Sequence, residues 1–423
     1  MIFRVAALVA FALLFHTTSA SSQARNQLRY LEVLNSTRIQ APKGRVHAYS
    51  HFDIELQPRS GHQRIKLSLE PNYDVLGDGA TITYIGADGS MTHSETIDRA
   101  EHKVFKGTAS IENDDNSWTN VGWARISVLR DGVRPLFEGA FSIHHDNHHI
   151  QLNSNYMQTK HELDPHLMQD DDNFMVLFRD SDIEQHAPSD LKRSVSSDAQ
   201  CLSHQLEFNA RPDHPIYQAT LNKDDGQWGA MPLSHVFGKR QFDTQTTGNT
   251  AGVNLTRSIG QAAGCPSTRR VALVGVATDC TYTSRFNSTQ SARQNIITVM
   301  NAASSAWEST FNISLGLQNL TIMDASCPGT PQSATPWNRD CGANLDIAAR
   351  LNLFSQWRGT LRDTNSHWTL MTSCNTGSAV GLAWLGQVCV NNAFTTNLTG
   401  GGVETVSGAN VVAYTSTEWQ VVA

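Results

Sequence analysis

From Arg269 onward the chain alternates two apolar patterns, and this alternation restricts it to folds in which helices cross over a sheet. Val271-Ala272-Leu273-Val274-Gly275-Val276-Ala277 is a continuous apolar run, as a strand buried on both faces of a parallel sheet should be. Ala292, Ile296, Val299, Met300, Ala303 and Trp307 follow at spacings of three and four, which gives one apolar helical face. Phe311 to Met323 alternates as a second strand. Ile347, Ala348, Leu351, Phe354 and Trp357 mark a second amphipathic helix. Trp368 to Thr372, Gly381 to Val390 and Asn410 to Tyr414 are expected to be three further strands. Thr417 reads as an N-cap, with Glu418 in the first turn of a helix running to Ala423.

The region from about Leu28 to Gln158 has a different texture. It is β-rich, with alternation at Val46 to Tyr49 and at Ile65 to Leu69. Gly77-Asp78-Gly79, Ala87-Asp88-Gly89 and Asp131-Gly132 are turn signals. Trp123 to Leu129 and Phe137 to Ile143 are expected to pair across the last of them. Residues 160–240 are polar, include Asp170-Asp171-Asp172, and read as a surface segment or linker.

Cysteine placement repeats this division. The chain has 423 residues and seven cysteines. Cys201 is the only one before residue 265, and Cys265, Cys280, Cys327, Cys341, Cys374 and Cys389 follow as disulfide candidates. An odd number leaves at least one thiol without a partner in the chain, and the pairings stay open. Arg4 and the apolar run Val5 to Phe15, ending near Thr18-Ser19-Ala20, read as a signal peptide cleaved after Ala20. The run is shorter than the ~20 residues a spanning helix needs, and no second run of spanning length follows. Asn35, Asn254, Asn287, Asn312, Asn319 and Asn397 stand in N-x-[ST] sequons, which suits glycosylation in the secretory pathway, with delivery outside the cell or to its surface. A net charge of -7 without a basic patch gives no footprint for nucleic acid. No nucleophile elbow, phosphate loop or C-x-x-C pair is present.

The local sequence carries a specific likeness. Gly381-Leu382-Ala383-Trp384-Leu385-Gly386-Gln387-Val388-Cys389 resembles the edge-strand motif of reprolysin-type proteases. Asn410 to Tyr414, then Thr417-Glu418-Trp419-Gln420-Val421-Val422-Ala423, is similar to the segment that leads into their active-site helix. Gly264-Cys265-Pro266 to Cys280, and Phe311 to Leu317, look like fungal-type members. The chain is thus identified as resembling the disintegrin-and-metalloprotease (ADAM, reprolysin-like, metzincin) zinc protease family over roughly residues 28–423. The implied fold class is α+β: a β-rich N-terminal pro-domain, then the mixed-sheet upper subdomain of a metzincin catalytic domain. The implied divisions are a signal peptide (1–20), a pro-domain (21–240) and an incomplete catalytic domain (241–423).

The resemblance implies a zinc metalloendopeptidase acting on peptides or proteins. In the family the final helix continues into H-E-x-x-H-x-x-G-x-x-H, where two His one helical turn apart bind Zn²⁺ and the Glu acts as general base. These 423 residues do not contain that motif. His161-Glu162-Leu163-Asp164-Pro165 begins like it, but Pro165 stands where the second His belongs, and His166 falls on another face. His144, His145, His148 and His149 read as a polar strand end on the surface rather than a metal site. The expectation is therefore a precursor fragment, inactive alone, that retains the peptide-binding edge strand at Gly381, Leu382, Ala383, Trp384 and Leu385. The other reading is a naturally truncated, inactive secreted glycoprotein acting as a peptide-binding module or pro-domain inhibitor. By the same resemblance, Cys201 is a cysteine switch whose thiolate caps the zinc, and Cys389 has a disulfide partner beyond the active-site helix. The dibasic pair Lys239-Arg240 is the expected cut for a proprotein convertase. A complete family member can carry a transmembrane segment downstream.

Overall fold

The structure is a computed structural model. It describes residues 26–34, 37–58, 63–167, 173–184, 206–210, 214–216, 266–286, 288–342, 345–374, 379–398 and 401–423. The first half supplies strands β1 (Glu32–Val33), β2 (Thr37–Gln40), β3 (Phe52–Leu56), β4 (Ile65–Pro71), β5 (Leu76–Ile85), β6 (Met91–Thr96), β7 (Val104–Glu112), β8 (Trp118–Arg130), β9 (Leu136–Ile143), β10 (Asp146–Leu152) and β11 (Met175–Arg179). Two short helices accompany them, α1 (Asn153–Thr159) and α2 (Glu207–Ala210). The second half runs β12 (Arg270–Thr278), α3 (Cys280–Thr283), α4 (Thr289–Phe311), β13 (Ile313–Met323), α5 (Ile347–Arg358), β14 (His367–Thr372), β15 (Gly381–Ala383), β16 (Phe394–Asn397), β17 (Val403–Val406), β18 (Ala409–Ala413) and α6 (Glu418–Val422).

Among the described residues two large sheets form. One is antiparallel with nine strands, in the order β1-β11-β10-β9-β8-β7-β4-β3-β2. The other is mixed with seven, in the order β15-β18-β14-β12-β13-β5-β6. β12 sits at its centre because it is apolar on both faces: Val274, Val276 and Ala277 are all fully buried. Neighbouring residues point to opposite sides. Val274, Val276, Met371 and Val412 therefore meet Ile296, Ile297, Met300 and Ala303 of α4. Ala277, Leu370 and Val411 meet Ile347, Leu351 and Phe354 of α5. Ser288 caps α4 by accepting the Ser291 N–H at 3.1 Å, and Asn312 ends it in the left-handed region at φ 56°.

The hairpin β5–β6 leaves the first half and joins the second half's sheet. β5 pairs in parallel with β13, from Leu317↔Leu76 to Met323↔Ile85. Its Gly77-Asp78-Gly79 was expected to be a turn. It is a bulge inside the strand: the register shifts between Leu317 and Asn319, and Gly79 takes φ +68°. A side chain at Gly77 would meet Gln318 Oε1 at 2.3 Å. The chain then returns to the first sheet at β7.

α4 is consequently buried on two sides. Its polar face meets the nine-stranded sheet: Thr298 Oγ1 donates to Ser127 Oγ at 2.8 Å, and Asn301 Nδ2 donates to the Phe105 carbonyl at 3.1 Å. Asn72 Nδ2 donates to Asn301 Oδ1 at 2.7 Å. Arg125 Nη2 and Glu308 Oε2 form a buried ion pair at 2.6 Å, which Arg269 joins from the surface.

Three other expectations need correction. Val46 to Tyr49 is not a strand; Val46 and Ala48 alternate because they are buried in a loop, which Val46 N fastens to Asp131 Oδ2 at 2.8 Å. Residues 160–240 are not merely a linker, since Met175 to Arg179 is strand β11 between β10 and β1. The fourth strand of the second half stops at Ala383 rather than reaching Val390, because the chain turns there and both Gly386 and Cys389 have positive φ. The turns at Ala87-Asp88-Gly89 and Asp131-Gly132 fall between strands as expected, and the Asp131-Gly132 turn joins β8 to β9.

Candidate functional site

β15 forms one edge of the seven-stranded sheet. It pairs antiparallel with β18, and Ala413 N donates to the Val380 carbonyl at 2.8 Å. The carbonyl of Ala383, three residues on, therefore points off the sheet. Among the described residues the Asn209 side chain occupies this outward edge. Asn209 Nδ2 donates to the Ala383 carbonyl at 3.0 Å, and Asn209 Oδ1 accepts the Leu385 N–H at 3.0 Å. One side-chain amide thus makes the two bonds that the backbone of an added strand would make there.

The residues around Asn209 are embedded. Leu206, Phe208 and Ile216 are buried in the apolar cluster on the α5 side of the sheet. The Phe208 ring lies edge-on to Trp384 at 5.9 Å and to His214 at 5.5 Å. Trp384 is fixed in turn by its Nε1, which donates to Ser355 Oγ at 2.7 Å. Behind them stands Glu404 on β17, only 3% exposed. Its Oε1 accepts the Glu207 N–H at 2.8 Å, its Oε2 accepts the Phe208 N–H at 2.9 Å, and His214 Nε2 lies 3.5 Å from Oε2. Burial raises the Glu404 pKa, while the two backbone donors oppose that shift.

α6 approaches the same strand from the other face. A Cβ on Gly381 would lie 2.8 Å from Val421 Cγ1, so the absence of a side chain lets the helix sit close. Thr417 is the residue before α6, but its side chain makes no capping bond. Glu418 turns inward instead of facing solvent at the helix start. Tyr282 Oη and Asn295 Nδ2 donate to its Oε2 at 3.1 Å and 3.2 Å, and among the described residues its buried Oε1 has no hydrogen-bond partner. Burial pushes this carboxyl up to about 8.

The first half of the chain grips the start of α6. Trp419 lies edge-on to Trp123 at 5.6 Å, and its Nε1 donates to His149 Nδ1 at 3.2 Å. That bond leaves the His149 proton on Nε2, 2.7 Å from Asp180 Oδ1. Gln420 Nε2 donates to Asp180 Oδ2 at 2.8 Å, and Gln151 Nε2 donates to the Ser416 carbonyl at 2.6 Å.

The structure brings together Gly381, Leu382, Ala383, Trp384 and Leu385, and gives that edge an occupant that sequence reading did not anticipate. Asn209, Glu404 and Asp180 were missed, and His149 was singled out only as part of a polar strand end. Asn209 had no signal in a polar stretch. Glu404 had one, an acid set among the strand residues Val403, Thr405 and Val406. The His cluster was expected on the surface; His144 and His145 are exposed in a turn with positive φ, but His148 and His149 are buried in β10, where they pack against Phe141 and Phe178. His161 to Asp164 forms a turn, closed by Asp164 N to the His161 carbonyl at 3.0 Å. Cys280–Cys327 and Cys341–Cys374 are disulfides, and Cys389 is exposed and has no disulfide partner among the described residues. Asn397 is exposed on β16. Asn312 Nδ2 donates to the Pro266 carbonyl at 2.9 Å, and Asn319 Nδ2 to Thr81 Oγ1 at 2.9 Å. Cys201, Lys239, Arg240, Cys265, Asn35, Asn254 and Asn287 lie outside the described residues. Among the described residues no group of three or more His, Cys, Asp or Glu could hold a metal ion. No helix among them is long and apolar enough to cross a membrane.

Residues 267–423 match the family model for metallo-peptidase family M12. The chain is similar to a disintegrin and metalloproteinase domain-containing protein B from Aspergillus fumigatus, 45% identical over 421 residues, which are 98% of this chain and 53% of that protein. It is 42% identical over 419 residues to the protein of the same name from Arthroderma otae, covering 97% of this chain and 52% of the relative. The chain spans about half the length of these curated relatives.

Proposed function

We propose, on the premise that this chain belongs to metallopeptidase family M12, that it is the pro-region and substrate-edge part of a zinc metalloendopeptidase precursor. The observation that carries the proposal is the Asn209 amide seated on the Ala383 carbonyl and the Leu385 N–H. Those are backbone groups that an extended peptide needs if it is to lie along β15. A segment from the N-terminal side holds them, and the enzyme is thereby kept from substrate. The zinc expected of the family would activate the attacking water. The described residues of this chain do not form its site, and their part is to bind and orient the peptide. Cys201, shortly before Leu206 in sequence, is the thiol proposed to face the zinc. Lys239-Arg240 is the proposed cut that frees the segment. Export through the secretory pathway, with glycans on sequons such as exposed Asn397, belongs to the same reading.

The test uses the full-length protein secreted from a eukaryotic host. Hydrolysis of a protein substrate is followed before and after cleavage at Lys239-Arg240, with and without a chelator. Chelator-sensitive hydrolysis that rises on cleavage supports the reading; a cleaved, folded protein without it ends the reading. Asn209→Asp replaces the donor to Ala383 with a second oxygen facing its carbonyl. That variant is expected to raise the activity of the uncleaved protein, on the order of tenfold for one lost bond and one new repulsion.

A further inference from the structure

Among the described residues, the hydrogen-bond and charge partners of the Glu404 carboxylate come from one short stretch of chain. Among the described residues it meets the Glu207 N–H, the Phe208 N–H and His214 Nε2. Across the strand pair Glu404 stands opposite Thr396, and Val406, two residues on along β17, is buried in the apolar cluster that also holds Trp384, Leu351 and Phe354. A carboxylate in such surroundings is costly unless donors meet it, so when the 206–216 segment departs it is left demanding a replacement. Three features come with it in fixed positions. The Ala383 carbonyl and Leu385 N–H are at the edge, and the pocket against Trp384 accepts a ring.

From this geometry we infer that Glu404, the Trp384 pocket and the Ala383–Leu385 edge form a peptide-recognition subsite on the α5 side of β15. The ligand is a peptide turn that offers two successive backbone N–H groups to Glu404, an aromatic side chain to Trp384, and an Asn amide to the strand edge. In the uncleaved protein Phe208 and Asn209 fill this site. In the cleaved protein it selects substrates that carry the same aromatic–Asn turn. The inference rests on the protease reading for its substrates, but binding at the subsite requires no hydrolysis.

The experiment therefore measures binding in the full chain. Phe208→Ala with Asn209→Ala removes the ring and the amide that seat the segment, leaving its backbone bonds to Glu404 open to exchange, and a synthetic peptide of residues 206–216 is titrated against it by fluorescence anisotropy. The double variant is expected to bind the peptide, and the wild type, whose subsite is filled in cis, is not. Adding Glu404→Gln, which keeps size but loses one acceptor and the charge, should weaken binding by about tenfold or more. A peptide with Phe208→Ala should bind no better than a scrambled one. Equal affinity with and without Glu404→Gln, or no binding by the folded double variant, overturns the inference. If the double variant does not fold, hydrogen exchange at the Glu207 and Phe208 amides decides the matter. Protection should fall about tenfold or more in Glu404→Gln relative to wild type, and unchanged protection overturns the inference. A protein that fails to hydrolyse anything but passes these tests retains the subsite and loses only the protease reading.

Discussion

Glu418 is an acid with poor provision for its charge. It is buried, one oxygen accepts two neutral donors, and the other accepts none among the described residues. Its pKa is pushed from an ordinary 4.5 to about 8. Between those values the folded protein binds more protons than the unfolded chain, so stability is full below about pH 4 and is lost as pH rises toward 8. Urea unfolding should accordingly show a lower midpoint at pH 8 than at pH 5. Glu418→Gln should remove most of that difference, on the order of a few kcal/mol at the upper end. An unchanged pH slope in the variant would remove Glu418 as its source. The neighbouring Trp419–His149–Asp180 contacts are of another kind, because each polar atom there has found a partner.

α4 shows at the element scale why some of the fold was legible and some was not. Its apolar stripe at Ala292, Ile296, Val299, Met300 and Ala303 is visible in sequence because burying it requires helical spacing. Its second face was not visible, because Thr298, Asn301 and Glu308 look like any solvated surface until Ser127, Phe105 and Arg125 arrive to meet them. The strand β11 was hidden by polar flanks, and β5 by two glycines that a bulge and a turn use alike. Asn209 was hidden by having no pattern at all. The Arg125–Glu308 pair gives this face a measurable weight. Arg125→Leu leaves Glu308 buried with only the half-exposed Arg269, and should cost about 3 kcal/mol in urea unfolding. Replacing both residues with Leu should recover much of that loss; a double variant as unstable as the single one would argue against the pair.

At the scale of the molecule, two sheets from opposite halves of the chain share a hairpin, a helix and the grip on α6. A chain cut at an engineered protease site within residues 217–265 should therefore elute as one particle in size exclusion and separate only in denaturant. Separation at ordinary salt would show that these contacts are too weak to hold the halves together. The route of β5 also sets an order in time. Asp74 accepts a hydrogen bond from Ser314, 240 residues later, and β5 immediately after it pairs with β6 on one edge and with β13 on the other. At roughly 5–20 residues per second, the ribosome takes on the order of ten seconds to a minute to deliver β13 after β5 has been made. During that interval the hairpin has an unpaired edge and no sheet to join. Nascent chains should be most prone to mispairing, and most dependent on chaperones, after β5 has emerged and before β13 has followed it.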